Sequence, residues 1–411
     1  MAAASLVTES PPPLFSPDFV RNPYPTYAQH REGPRLQPLP DRPGLWLVFG
    51  YADCATLFRS KYLSSKRPAS ALIGTTGEEL IEFEPLVTHM HRWLLMMDAP
   101  AHPALRKLLN PAFSPARVEL LRSRVETLVT QLLDKMEEAP APDIIRDLAY
   151  PLPVRVISDM LGLPEELHER CTVLTNDIAT WFGHVRRTPE KARVAAKAVK
   201  ELEGYFADLV RQRRKRPSDD LTSLLMAIAE GSERLSDEEL YAQCVMMLFA
   251  GHETTRHLIG NGMHSLFSHP EALQEVRSNP ALIPNAIEEF LRFESPIQMT
   301  VRGVAADLEF EGDTVAAGSA LVFMVGSAQR DPRQYSHADR LDLHRQHIRH
   351  FGFGGDAHTC LGATLARLES QAAVRALLTR FSKLSPAAEH PDWSPTFGFR
   401  GLNSLPVNLN G

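Results

Sequence analysis

Two short stretches carry residue types able to do chemistry. The first, LFAGHETTRH at 248–257, sets two histidines, a glutamate and two threonines in an otherwise apolar run. The second, HFGFGGDAHTCLGATLARLE at 350–369, leads a glycine-rich loop into one cysteine and then into an apolar-striped helix. Each suggests a metal, for different reasons.

The histidines of the first stretch invite comparison with a zinc-protease helix, where two histidines four apart lie about 40° apart around the axis. His252 and His257 are five apart, so they diverge by about 140° and cannot chelate one ion from a regular helix. What remains is Gly251 inside a helical run, followed by Glu253 and Thr254. The glycine costs about 1 kcal/mol relative to alanine. A hydroxyl at Thr254 can bond the carbonyl four residues back and loosen the turn. Such a stretch suits a ligand crossing the helix, and on its own it equally suits a tolerated glycine beside a surface glutamate.

In the second stretch Cys360 precedes a helix striped by Leu361, Leu365, Leu368 and Ala372. A cysteine at a helix N-terminus meets unpaired amides and the positive end of the dipole, which favours thiolate. Gly362 permits a flat body to approach the backbone. With no second cysteine or histidine in chelating register, a thiolate here suits a single axial bond to haem iron.

The elements that must position these residues are mostly helical. LWLVFGYADCATLF (45–58) reads as a strand followed by a helix, and 70–91, with glycines at 74 and 77, as a long mobile loop with one short helix. Helical patterns follow over 103–138, broken at prolines 111 and 115, and over 152–162, 165–185, 188–214 and 219–229. Ser236 and Glu239 form a capping-box pattern that opens a helix running to about Ser268. Another helix covers 283–293, short strands and turns occupy 307–325, and a last helix starts near Leu361. The basic run RQRRKRP (211–217) reads as a solvated helix end. No Pro/Gly/Ser linker divides the chain, so the expectation is one mainly α domain over 1–411 with small β-sheets.

Composition agrees with an enzyme of this size. The 411 residues are 44% hydrophobic and 23% charged, and the net charge of -6 argues against nucleic acid as the main partner. Cys54, Cys171, Cys244 and Cys360 are scattered, which suits a reducing cytoplasm. The N-terminal stretch has neither a long apolar run nor a basic region ahead of one, so no signal peptide or membrane anchor is expected.

The pattern F-G-x-x-x-H-x-C-x-G at 353–362, with A-G-x-E-T at 250–254 upstream, resembles the soluble bacterial cytochrome P-450 family of haem-thiolate monooxygenases. The resemblance extends over nearly the whole chain. It takes in NPYPTYAQHRE (22–32), D-x-P-x-H-x-x-x-R at 98–106, RPSDDLTSLL (216–225), LSDEEL (235–240), E-x-x-R at 289–292 and FGFRGLNSLPV (397–407). Two places depart from it: Asp356 stands where the family often has glycine, and HADRL (337–341) lacks the usual proline and phenylalanine.

The resemblance implies haem b (iron protoporphyrin IX) with Cys360 as axial ligand, and Phe353, Gly354 and Gly362 around it. His102, Arg106, Arg302 and His358 would meet the haem propionates. Thr254 and Glu253 would deliver protons for O–O cleavage, the glutamate linking to solvent. Met246, Phe249, Ala250, Ile297, Gln298 and Phe399 would contact a medium-sized organic substrate under a lid formed by 70–92. Glu289 and Arg292 would form a structural pair joined by Arg340 from a later loop. With no flavin or iron–sulfur segment, electrons would come from a ferredoxin and its reductase, docking on HRQHIRH (344–350). The expected activity is insertion of one oxygen atom of O2 into substrate. The alternatives are related haem-thiolate chemistry (coupling, desaturation or peroxide use) and a non-catalytic sensor.

Overall fold

The computed structural model describes residues 12–67, 69–73, 77–183, 188–229 and 235–410. The reading of the extreme N-terminus up to Pro11, and of Gly74, falls outside them. Among the described residues helices dominate, with a five-stranded sheet and three two-stranded ones, so the mainly α expectation with small sheets holds. No helix among the described residues is long and apolar enough to cross a membrane.

The helix Asp237–Phe267 organises everything else. Its start is fixed by the predicted capping box. The Ser236 hydroxyl accepts from the Glu239 amide at 3.2 Å, and the Glu239 carboxylate accepts from the Ser236 amide at 2.8 Å. Such a cap contributes about 0.5–2 kcal/mol. At 31 residues the helix is roughly 46 Å long. Its first half, through Phe249, belongs to one hydrophobic cluster, while Leu258, Ile259, Met263 and Leu266 belong to another. The polar stretch 250–257 lies between the two, which is why so many titratable groups survive mid-helix in the interior.

Close approach of neighbours explains the glycines of this helix better than backbone freedom does. A Cβ on Gly251 would stand 3.3 Å from Ile157 of the helix Pro151–Leu161, and one on Gly262 2.5 Å from Phe290 of the helix Ile283–Phe293. The helix is unbroken through Gly251, whose missing side chain admits the neighbouring helix.

In the larger sheet, Leu45–Val48 runs parallel to Ala320–Phe323, which pairs antiparallel with Thr300–Val304. Leu63–Ser64 pairs with the outer edge of that strand, Ser64 opposite Gly303. Arg302 and Ser65 are thereby brought to one end of the sheet.

One expectation fails. The described part of the presumed loop 70–91 is helical: Ala69–Ile73, a 3-10 stretch Gly77–Phe83 and the helix Glu84–His91. Phe83, Leu86, Val87 and Met90 are buried. Their spacing of three, four and seven is an amphipathic helical stripe, and apolar burial outweighs the glycines and mixed composition that suggest a loop.

Candidate active site

The loop that presents Cys360 is built by its own backbone. The Gly354 amide donates to the Phe351 carbonyl at 2.8 Å, and the Cys360 amide donates to the Phe353 carbonyl at 2.7 Å. Gly354 has φ +74°, a left-handed conformation natural to glycine, whereas Asp356 holds φ +56° with a side chain. The Phe353 ring lies under the Arg367 guanidinium, 4.5 Å from its centroid, and Arg367 pairs with Glu288 at 2.6 Å. His350 also bonds Glu288, at 3.0 Å. Between them these two hydrogen-bond partners outweigh the effect of burial and hold Glu288 down to about 2. The loop is thus clamped to the helix Ile283–Phe293.

Cys360 is the accessible thiol of the four; Cys54, Cys171 and Cys244 are buried. Accessible here does not mean bathed in bulk water. Surrounding protein desolvates the sulfur and pushes its pKa up, against the Gly362 amide, Arg106 and Arg367, which pull it down. The sulfur is thus accessible yet desolvated by its protein surroundings. The helix begins at Ala363 with Gly362 as its cap, so Cys360 stands ahead of the dipole's strongest point. Dipole-driven ionisation, expected from sequence, therefore loses to burial, and a bound metal cation is what would complete deprotonation. Space beside Gly362 is open: a Cβ there would meet nothing within 4 Å.

The four expected donors converge. The rings of His102 and His358 stand 4.0 Å apart. Burial first, then the charges of His102, Arg302 and Arg106, lower His358 to about 4. Arg106 bonds only Asn110, at 2.9 Å, and Arg302 bonds the Thr300 hydroxyl and the Val301 carbonyl. Neither makes an ion pair among the described residues. Asp98, the nearest acid, is occupied by the Ser65 amide at 2.8 Å and by the Ser64 hydroxyl, and Ser65 in turn bonds His358 at 2.9 Å. The Nε2 atom of His102 is buried without a partner. Burying cations is costly unless something anionic meets them. Two carboxylates of a flat cofactor fit this donor set, so the residues present suit haem.

The central helix presents a different chemistry on each side. Ala250 is exposed in mid-helix, with Gly251 and Thr254 half-buried beside it. The Thr254 hydroxyl donates to the Ala250 carbonyl at 3.2 Å, as predicted. Glu253, about 100° further round, is buried and does not reach solvent, contrary to expectation. Its carboxylate meets Arg256 at 3.3 Å and His257 Nε2 at 3.3 Å. Although burial opposes ionisation, His257, His252 and Arg256 hold this carboxyl far below the usual carboxylate range.

The expected substrate residues separate into two groups. Phe249 and Phe399 join Trp93 and Phe182 in an aromatic cluster: Trp93–Phe249 5.4 Å, Phe182–Phe249 5.5 Å and Phe249–Phe399 6.2 Å between centroids. Met246 and Leu361 pack in the same hydrophobic cluster, which joins the ligand loop to the central helix. Ile297 bridges to Phe399 through the backbone. Gln298 does not belong with them. Its buried amide accepts from the Tyr27 hydroxyl at 2.9 Å and donates to the Ser295 carbonyl at 2.9 Å, fastening the N-terminal helices instead. Alternation along an extended segment sends adjacent residues to opposite sides. Trp93 and Phe182 were missed, and only their spatial convergence reveals them.

Two further assignments are corrected. The third partner of Glu289 and Arg292 is Arg345, not Arg340: Arg345 Nε lies 3.2 Å from the Glu289 carboxylate, while Arg340 gives only its carbonyl to Arg292. This use of Arg345 also weakens the expected docking face at 344–350. Arg345 and the His350 side chain are buried in internal pairs, and His344 is bound to Glu275 at 2.6 Å. A separate recess of about 120 Å³ lined by Arg31, Arg35, Asp53, Asp331 and Arg333 holds the pairs Arg35–Asp53 and Arg333–Asp331, while Arg31 bonds Ser327.

An accessible, desolvated thiol on a clamped loop, two arginines that make no ion pair among the described residues and a hydroxyl-bearing helix together point to a haem-thiolate class of oxidoreductase. Comparison with known proteins gives the same answer. The cytochrome P450 family model matches residues 82–401. The cytochrome P450 monooxygenase PikC of Streptomyces venezuelae is 37% identical, with 97% of this chain and 95% of that protein covered. The 6-deoxyerythronolide B hydroxylase of Saccharopolyspora erythraea is 34% identical over 97% and 99%. The solved structure of P450BioI, in complex with an acyl carrier protein bearing hexadec-9Z-enoic acid, superposes with a TM-score of 0.88 at 32% identity, covering 96% of this chain and all of that one. The chain belongs to the cytochrome P450 family, whose members are haem-thiolate monooxygenases.

Proposed function

We propose that this enzyme hydroxylates a medium-sized, largely apolar secondary metabolite. The net reaction consumes O2, two electrons and two protons, and yields the hydroxylated product and water. The electrons come from a ferredoxin and its reductase, and the setting is the cytoplasm, which suits four unpaired thiols. One observation carries the reading: an accessible Cys360 lies near Arg106, which makes no ion pair among the described residues, on a loop packed into the cluster that holds Phe249.

Cys360 holds the iron, and haem bound there supplies the dioxygen chemistry, with thiolate donation favouring O–O cleavage. His102, Arg106, Arg302 and His358 bind the propionates, and Phe353, Gly354 and Gly362 shape the loop against the ring. Thr254 keeps its hydroxyl hydrogen on the Ala250 carbonyl, leaving lone pairs free to accept from water in the cleft. Glu253 is the nearby carboxylate able to carry protons toward that hydroxyl. Met246, Phe249, Ala250, Ile297 and Phe399 orient the substrate and exclude water, with 70–92 as the cover. The hydroxylase named among the relatives supports the reaction type, and the aromatic cluster supports an apolar substrate.

The test has three parts. The reduced protein with carbon monoxide should show the thiolate-ligated absorbance, a compound screen should find ligands that shift the Soret band, and those ligands should drive NADPH consumption with 18O2 label appearing in product. Soret-shifting ligands that never drive labelled product would refute catalysis.

A further inference from the structure

His257 has no place in the reading above, yet it occupies an unusual position. It is buried, its Nε2 lies 3.3 Å from the Glu253 carboxylate, and its Nδ1 is buried without a hydrogen-bond partner. The orphaned nitrogen faces Gly401, which lies in the hairpin that pairs Leu402–Ser404 antiparallel with Asp392–Trp393, and a Cβ there would overlap the imidazole ring. One residue on, the Leu402 carbonyl accepts from Arg256, the guanidinium paired with Glu253. Two residues back, Phe399 stands in the aromatic cluster against Phe249 and Phe182. The hairpin therefore touches the aromatic cluster with Phe399 and both holders of Glu253 with Gly401 and Leu402.

We propose that His257 is a positioning residue that holds Glu253 as an anion away from Thr254, and that the hairpin 399–402 sets this hold because Gly401 is hollowed to seat the same imidazole. The inference rests on the reading of Thr254 and Glu253 as proton suppliers. The chemistry is that of a latch. Burial keeps the His257 imidazole neutral near pH 7, so its Nε2–H donates to the carboxylate while Nδ1 carries a lone pair. The groups facing it are Glu253 and Arg256, with His252 on the far side of the carboxylate. A carboxylate held by two donors binds a proton poorly and stays put. Movement of Phe399 on substrate entry would shift Gly401, loosen the imidazole and let the carboxyl take up a proton and swing toward Thr254.

Infrared difference titration of the haem-loaded enzyme reads the protonated carboxyl band of Glu253, assigned by its loss in Glu253→Gln. The parent should show no such band near neutral pH. On acid titration of His257→Leu the band should grow in at higher pH than in the parent, its midpoint rising by about one pH unit or more, a tenfold or greater gain in proton affinity. His257→Gln, which keeps a donor, should restore the parent trace, and the pH profile of substrate turnover should move with the band. Gly401→Ala should reproduce the leucine variant. If its overlap prevents folding, the double variant Gly401→Ala/His257→Ala must fold again, and failure to do so overturns the hairpin link. A folded His257→Leu enzyme with no band and an unmoved profile overturns the latch. Normal turnover by Glu253→Gln would instead remove Glu253 from proton supply while leaving the band shift to report on the latch, so the two failures are distinguishable.

Discussion

Two clusters of desolvated arginine lie in this chain, and they are built on opposite terms. Around Glu289, the side chains of Arg292 and Glu289 are fully buried at 2.6 Å, and Arg345 closes the group at 3.2 Å. The spare donors of Arg292 go to the carbonyls of Gln329, Ala338 and Arg340. Around His102, Arg106, Arg302 and His358 there is no paired carboxylate among the described residues, and one imidazole nitrogen is orphaned there. Charges satisfied within the chain belong to the fold. Buried charges left unsatisfied are a cost that only a bound anion recovers. The two clusters should therefore answer opposite questions when mutated, one about stability and one about cofactor.

The largest effect tests the centre of the unsatisfied cluster. Cys360→Ala should abolish the thiolate-type absorbance of the reduced, carbon monoxide-bound protein and all turnover, while circular dichroism remains helical. Retention of the parent spectrum would break the comparison at its root. Next is the satisfied cluster: Glu289→Ala leaves Arg292 and Arg345 buried and uncompensated, which should cost about 3–5 kcal/mol in urea unfolding. Arg302→Met should do the reverse. Removing a desolvated, unpaired cation should leave the haem-free protein within about 1 kcal/mol of the parent or make it more stable. Haem dissociation should quicken roughly tenfold or more through loss of a charge-assisted bond. Equal destabilisation by both variants would erase the distinction.

Between these extremes stands His252, fully buried, bonded by Thr175 at 3.1 Å and 3.7 Å from Glu253. Burial, aided by Arg256 and His257 and opposed by Glu253, lowers it to about 4. The folded value lies below the unfolded one, near 6.5, so in that interval the unfolded chain binds a proton that the folded chain refuses. Stability is thus intact above about pH 6.5 and falls as pH drops toward about 4, by at most about 3 kcal/mol. His252→Gln should flatten that part of the stability–pH curve. An unchanged slope would mean Glu253 already protonates this ring in the fold.

How much of this was legible in the sequence follows from whether a signal is local. The capping box of Ser236, the i,i+3 pair of Glu289 and Arg292, and the Thr254-to-Ala250 bond are fixed by neighbours a turn away, and spacing reveals them. Arg345 over Arg340, the withdrawal of Gln298 to Tyr27, and the clamp of Glu288 on Arg367 and His350 depend on loops folding back from far along the chain. Nothing in local spacing distinguishes Arg340 from Arg345. Segment 70–91 is the instructive miss. Its apolar stripe was readable, but glycines and mixed composition outweighed it. The donors His102, Arg106, Arg302 and His358 were found through motif resemblance. Their lack of carboxylate partners, which carries the physical argument, is visible only in three dimensions.

The smallest effect bears on where the comparison stops. Asp356 is also an unpaired charge in the ligand loop, four residues from Cys360, yet it is exposed. Water solvates it there, so lack of a partner costs little and implies no ligand. Asp356→Asn, which removes the charge and still tolerates the left-handed backbone, should leave haem retention unchanged. Asp356→Gly should act through the backbone alone. At φ +56° an L-residue is strained, and the Asp356 carbonyl must still accept from the Thr359 amide at 3.1 Å and its hydroxyl at 2.8 Å. Glycine relieves that strain but loses more entropy on folding, so the net gain should be under about 1 kcal/mol, read as a small rise in thermal midpoint. Loss of haem from the asparagine variant, comparable to that from Arg302→Met, would show that unmatched charge matters in this loop even when solvated, and burial would no longer be the deciding variable.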